Sequence, residues 1–209
     1  MLIKALLSLF VLLQPGPILV DRIAATVNEE IITIHDIERA IAFFPILRQN
    51  NETEDDFYAR TLADLITYKV IALEFSDEFN LNEEDFEMVQ TQILQKAGSL
   101  EKLQALLNNF AMSWSDFKSF IREKVLYEKV LREKFQMEIT ISFDEIEEFY
   151  NHDYLTSQQQ LGLESRTLVE MAPLIEKYLR KLRMEKQLSS WLSEIRSAFK
   201  IEIKLRSRQ

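Results

Sequence analysis

From Arg22 to Val27 the chain alternates, putting Ile23, Ala25 and Val27 on one face of a strand, and Glu30 to Ile34 repeats the alternation with Ile32 and Ile34. Between them stand Asn28 and Glu29, and Asn tolerates the positive φ that a tight turn needs. At His35 the period changes, because Ile37, Ala40, Ile41 and Phe44 follow the i, i+3, i+4, i+7 spacing of one helical face. The stretch VDRIAATVNEEIITIHDIERAIAFF, Val20 to Phe44, therefore predicts two short strands running straight into an amphipathic helix.

Four more helical patterns follow. A polar start at Asn51 to Glu54 leads into a stripe of Tyr58, Leu62, Leu65, Ile66, Val70 and Leu73. The next begins at Asn82, carries Phe86, Val89, Ile93 and Ala97, and stops at Gly98. Ser99 caps a third with Leu100, Leu103, Leu107 and Phe110. Ser113 with Asp116 opens a long fourth that reaches about Phe135, and its apolar residues cover more than one stripe, which predicts the central element of a bundle. Met137 to Ile141 then alternates like a short strand, and Ser142-x-x-Glu145 is a capping box before Ile146, Phe149 and Tyr150.

Asn151 to Arg166 is polar, with three consecutive Gln and Gly162, and reads as a linker. Beyond it, with Pro173 near its start, a helix keeps Ile175, Tyr178, Leu182, Leu188, Trp191, Leu192, Ile195 and Phe199 on its apolar side. Lys200 to Leu205 closes the chain as a strand with Ile201, Ile203 and Leu205 on one face. A terminal strand needs a partner, and the open edges on offer are the N-terminal hairpin and Met137 to Ile141. With only three Gly and four Pro in 209 residues, the expected fold is mainly α, a multi-helix bundle with a small antiparallel sheet built from the N-terminal hairpin and the C-terminal strand.

The first residues carry another signal. Lys4 precedes an apolar run from Ala5 to Leu13, and Pro15-Gly16-Pro17 interrupts it before the roughly 20 residues a membrane span requires. Residues 1–19 are therefore expected to be a signal peptide, with export and no stable membrane insertion of the mature chain. No Ala-x-Ala precedes Val20, so an uncleaved anchor is the alternative. Cysteine is absent and the net charge is −9, which argues against nucleic acid as a partner. The charge is uneven: Glu52 to Asp85 has eleven acids against two bases, and Arg166 to Gln209 eleven bases against five acids. Two solvated helix faces or mutual docking of the two segments are both compatible with this split.

Catalytic signals are thin. The histidines are His35 and His152, and neither has a nucleophile or second ligand at a recognisable spacing. The acidic pairs Asp55-Asp56, Glu83-Glu84 and Glu147-Glu148 stand at helix beginnings or on polar faces, where acids complement the helix dipole. Gly-rich phosphate loops and the G-x-S-x-G elbow are missing from the sequence. No catalytic residue, metal site or cofactor is assigned.

The order of leader, VDRIAATVNEEIITIHDIERAI, helical bundle, EITISFDEIEEFY and MEKQLSSWLSEIRSAFKIEIKL resembles the chaperone module of the SurA family of periplasmic folding factors, related to PrsA-type foldases. The resemblance covers about Val20 to Leu205. It implies a SurA-like N-terminal helical region over 20–154, a linker over 155–170, and a C-terminal helix and strand over 171–205 completing the core. Family members usually carry parvulin-type prolyl isomerase domains in the interval that here spans only about twenty residues between Tyr150 and Met171. Such a domain needs roughly a hundred residues, so the resemblance implies binding without isomerase activity.

The expected function is therefore an ATP-independent holdase for unfolded exported or outer-membrane polypeptides. Large apolar residues outside the core stripes or at helix ends are the candidate client contacts: Phe43, Phe44, Phe57, Phe110, Met112 and Trp114. The rival expectation is a structural or assembly subunit with one dedicated envelope partner, or a strand-swapped homodimer.

Overall fold

The computed structural model describes residues 21–134 and 139–205; the expected signal peptide, Phe135 to Glu138, where the fourth helix was expected to end and a strand to begin, and residues 206–209 lie outside them. The fold is mainly α with a small antiparallel sheet. Strands β1 (Ile23–Val27) and β2 (Glu30–Thr33) form the hairpin, and helices follow as α1 (Ile34–Phe43), α2 (Glu54–Phe75), α3 (Glu83–Ala97), α4 (Leu100–Asn109) and α5 (Trp114–Lys134). Next come α6 (Phe143–Phe149), a π-helical turn (Tyr150–Tyr154), α7 (Leu155–Leu161), α8 (Leu168–Ser197) and β3 (Ile201–Ile203).

The sheet order is β2–β1–β3, so both ends of the described chain meet on β1. Val27 pairs with Ile201 and Ala25 with Ile203, and Lys204 N–H donates to the Ala24 carbonyl at 2.7 Å. The hairpin tip is bound to the same strand. Asn28 adopts φ 52°, its N–H donates to the Lys200 carbonyl at 2.8 Å, and its Oδ1 accepts from the Lys200 N–H at 2.9 Å. One departure from the sequence pattern is a bulge between Ile23 and Ala25, which leaves Ile23 exposed and buries Ala24 and Ala25 together.

Hydroxyl and amide caps set the helix starts. Thr33, Asn82, Ser142 and Thr167 each form a reciprocal capping box with an acid three residues on, and Gly98 ends α3 at φ 86°. Thr167–Glu170 starts α8 earlier than Pro173 suggested. Pro173 therefore lies inside the helix, where its missing N–H leaves the Val169 carbonyl without its usual intrahelical donor. Within the polar stretch read as a linker, residues 151–161 are helical, ending at Gly162 in the left-handed conformation. Ile139 to Ile141 forms no strand; β1 is the partner that β3 uses.

Three packed regions result among the described residues. The main core joins the sheet to α1–α5, with Ile37, Phe43, Phe44, Leu62, Ile66, Phe117 and Ile121 almost wholly buried. The end of α8 reaches it through Ile195, and Trp191, whose ring stacks on Phe75 at 5.8 Å, packs with Leu192 and Ile195 on a smaller cluster of Ile71, Phe75, Leu126 and Val130 beside it. The other end of α8 buries Ile175 with Ile141 and Ile146 in a separate cluster. At about 100° per residue, Ile175 and Ile195 stand on roughly opposite faces, so α8 bridges clusters on two sides rather than flanking one core.

The two charged segments meet where Trp191 stacks on Phe75 and where Arg196 donates to the Thr67 hydroxyl at 3.5 Å. Acids of the Glu52 to Asp85 segment pair mainly with α5: Lys118 with Glu83 at 2.6 Å, Lys134 with Glu78 at 2.9 Å, and Lys129 and Arg132 with Asp85 at 2.8 and 2.6 Å. Basic residues of α8 pair with α8 itself or with α6, as in Arg180–Glu176, Lys181–Glu185 and Arg183–Glu145.

Candidate functional site

A cavity of about 440 Å³ opens between the free side of β2, the helices α1, α2 and α5, and the α4–α5 turn. That size lies within the roughly 300–1,000 Å³ typical of ligand pockets. Its apolar wall comes from Ile32, Phe44, Leu65, Tyr68, Phe110, Met112 and Phe120, and its rim carries Asp36, Arg39, Lys69, Asp116, Glu123 and Lys124.

The wall is an aromatic framework. Phe44 stacks on Phe120 at 5.2 Å and 11°, and Phe43, buried behind, lies 5.4–6.0 Å from Phe110, Phe117 and Phe120. Such pairs fix ring orientation beyond what burial alone would do. The start of α1 joins the framework through the His35 ring, 5.5 Å from Phe110. At the other end of α1, Lys96 of α3 donates to the carbonyls of Ile41 and Phe44, and burial pushes its pKa down. Lys96 thereby satisfies carbonyls that the helix end leaves open and fixes Phe44 at the cavity wall.

Charged groups on the rim are mostly committed to neighbours. Lys124 is buried, bonded to Glu128 at 2.6 Å, with its ammonium 5.5 Å from the rings of both Phe44 and Tyr68. Lys69 contacts Glu123 and Glu30, the latter at 3.5 Å. Burial pushes the Tyr68 hydroxyl up, with the Asp64 carboxylate reinforcing it, so the phenol stays neutral. Arg39 pairs with Asp36 at 3.5 Å, and its Nε is the one buried side-chain nitrogen or oxygen among the described residues without a hydrogen-bond partner.

Of the six residues read from the sequence as client contacts, Phe44, Phe110 and Met112 meet in this cavity. Phe43 is fully buried beneath them. Phe57 is buried elsewhere, with the Arg48 and Arg60 guanidinium groups 5.0 and 5.3 Å from its ring. Trp114 is 46% exposed and meets Phe117 edge-on at 5.7 Å.

Sequence reading missed the rest of the wall because Leu65, Tyr68 and Phe120 fit ordinary helical stripes. It also missed Ala111, which lines the cavity at φ 50°. The turn there is closed by Met112 N–H to the Leu107 carbonyl at 2.9 Å, a position where Gly is usual, and the missing Gly hid the signal.

Among the described residues, no group of three or more His, Cys, Asp or Glu is placed to hold a metal, and no helix is long and apolar enough to cross a membrane. His152 is exposed in the π-helical turn. No protein-family model matches the chain, and no curated protein matches it.

Proposed function

We propose that the protein is an ATP-independent holdase that binds unfolded exported polypeptides, outer-membrane proteins among them, in the periplasm and without isomerase activity. The observation that carries this reading is the open cavity with a rigid aromatic wall and a mixed-charge rim, in which three residues chosen for their apolar excess come together. Apolar burial would drive binding with loose sequence preference, as a binder of varied clients requires. The SurA-like motifs add support, since the opening and closing segments that carry the resemblance pair with each other on β1. The chain's net charge of −9 favours clients with basic segments and keeps the protein soluble.

Light scattering tests the reading. The purified chain at stoichiometric concentration is expected to suppress aggregation of several unrelated unfolded outer-membrane proteins. Failure on all of them, with one envelope protein co-purifying stoichiometrically, would instead support an assembly subunit. A prolyl isomerisation assay is expected to give the uncatalysed rate, and a clear acceleration would refute the binding-only reading.

A further inference from the structure

The hairpin register determines which main-chain groups of β2 are spare. Val27 and Glu30 flank a two-residue turn and exchange both hydrogen bonds, so the alternation of an antiparallel ladder makes Thr26–Ile31 the pair without bonds between them. The N–H and C=O of Ile31 consequently point away from β1. They face the free side of β2, an outer strand of the sheet, and Ile31 is 51% exposed. The next outward donor, Thr33 N–H, is already used by Asp36 at 2.9 Å. Among the described residues Ile31 is thus a single open two-bond position, and it lies at the mouth of the cavity.

We propose that an extended polypeptide segment adds to this edge as an antiparallel strand, with one residue exchanging two hydrogen bonds with Ile31, a bulky apolar residue immediately before it and a basic residue immediately after it. The proposal rests on the holdase reading and names the kind of segment that the cavity takes. Side chains alternate along a strand, so the two neighbours of the central residue lie opposite Ile32 and Glu30 on the sheet face turned toward α2. The one opposite Ile32, itself 3% exposed, enters the aromatic-walled space. The one opposite Glu30 meets a site where two carboxylates, Glu30 and Glu123, share the one ammonium of Lys69, leaving a negative charge over. That excess selects a basic side chain, and antiparallel pairing sets the order apolar, spacer, basic. Main-chain bonds supply affinity without sequence preference, and the two flanking positions supply selectivity.

The test is fluorescence anisotropy of a labelled, end-capped pentapeptide with phenylalanine, threonine and arginine at its centre and threonine at both ends, titrated with the full chain. N-methylation of the central threonine removes its N–H donor and leaves every side chain unchanged. It is expected to weaken binding at least tenfold, the factor that corresponds to about 1.4 kcal/mol. Exchanging phenylalanine and arginine is expected to weaken it similarly, and Glu30→Lys to reverse the preference toward a glutamate-bearing peptide.

Ile31→Pro should also abolish binding while the hairpin persists, because β1 does not use that N–H. Equal binding of the N-methylated peptide overturns the proposal whether or not the proline variant folds, and so does sedimentation showing the edge occupied by a second copy of the chain. If aggregation suppression persists while the N-methylated peptide binds as well as its parent, the edge pairing is wrong and the holdase reading stands. If the native chain suppresses no aggregation, both are wrong.

Discussion

Asn28 satisfies two demands at once, a positive φ at the hairpin turn and a side-chain acceptor for the Lys200 N–H. Glycine would meet only the first, and alanine neither. Asn28→Gly is therefore expected to cost about 1 kcal/mol, the worth of one hydrogen bond, and Asn28→Ala about 2 kcal/mol, the difference being the left-handed backbone. Urea denaturation of the two variants checks the order. Asp85 poses an electrostatic problem instead. It is 5% exposed, and burial alone would raise its pKa, but hydrogen bonds from Lys129, the Asn82 N–H and Arg132 hold the carboxyl below its ordinary 3.8. A lowered folded-state value means stability that is present above about pH 4 and lost as pH falls through the folded value. Asp85→Asn is expected to cost about 3 kcal/mol at pH 7, and the gap from the native protein should narrow in titrations below pH 4. Glu52, held at about 2 chiefly by the hydrogen bond from Arg60, adds to the same acid-side loss, between its ordinary 4.5 and about 2.

Among the elements, α8 departs most from its sequence pattern. Its apolar residues read as one stripe, yet Ile175 and Ile195 serve separate cores. A period detects burial but not the identity of the partner, and a helix that changes face midway looks merely ragged. The N-terminus of α8 was missed because Pro173 outweighed the Thr167–Glu170 box, and residues 151–161 were missed because Gln and Ser carry no apolar period. The hairpin, α3, α4 and the pairing of the chain ends were legible because turn, caps and alternation agreed there. Three of the seven wall residues, Phe44, Phe110 and Met112, were singled out as well; Leu65, Tyr68 and Phe120 look like core until tertiary packing opens a space beside them. Pro173 also supports a prediction. Its side chain is exposed and it interrupts the helix ladder, so Pro173→Ala is expected to raise stability by about 1 kcal/mol or more, visible as a higher melting temperature of the cluster around Ile175.

At the scale of the whole molecule, β3 completes a sheet whose central strand is otherwise paired on one side only. Deleting Lys200 to Gln209 removes the partners of Val27, Ala25 and Asn28 together. Loss of a single cooperative unfolding transition is expected, followed by circular dichroism at 222 nm; a variant that still melts sharply would mean that the bundle holds its sheet without help. The separate cluster around Ile141, Ile146 and Ile175 should respond less, because α8 reaches it at the far end of a 30-residue helix.

The contact between Asn28 and Lys200 spans 172 residues of chain. A chain delivered from its N-terminus must therefore expose the hairpin long before its last strand exists, and closing so large a loop is among the slow steps of folding. Vectorial synthesis would leave the sheet as the last part to form. Until the final residues emerge, β1 has a vacant side of its own, and the nascent protein is briefly in the same condition as the unfolded chains it is proposed to hold.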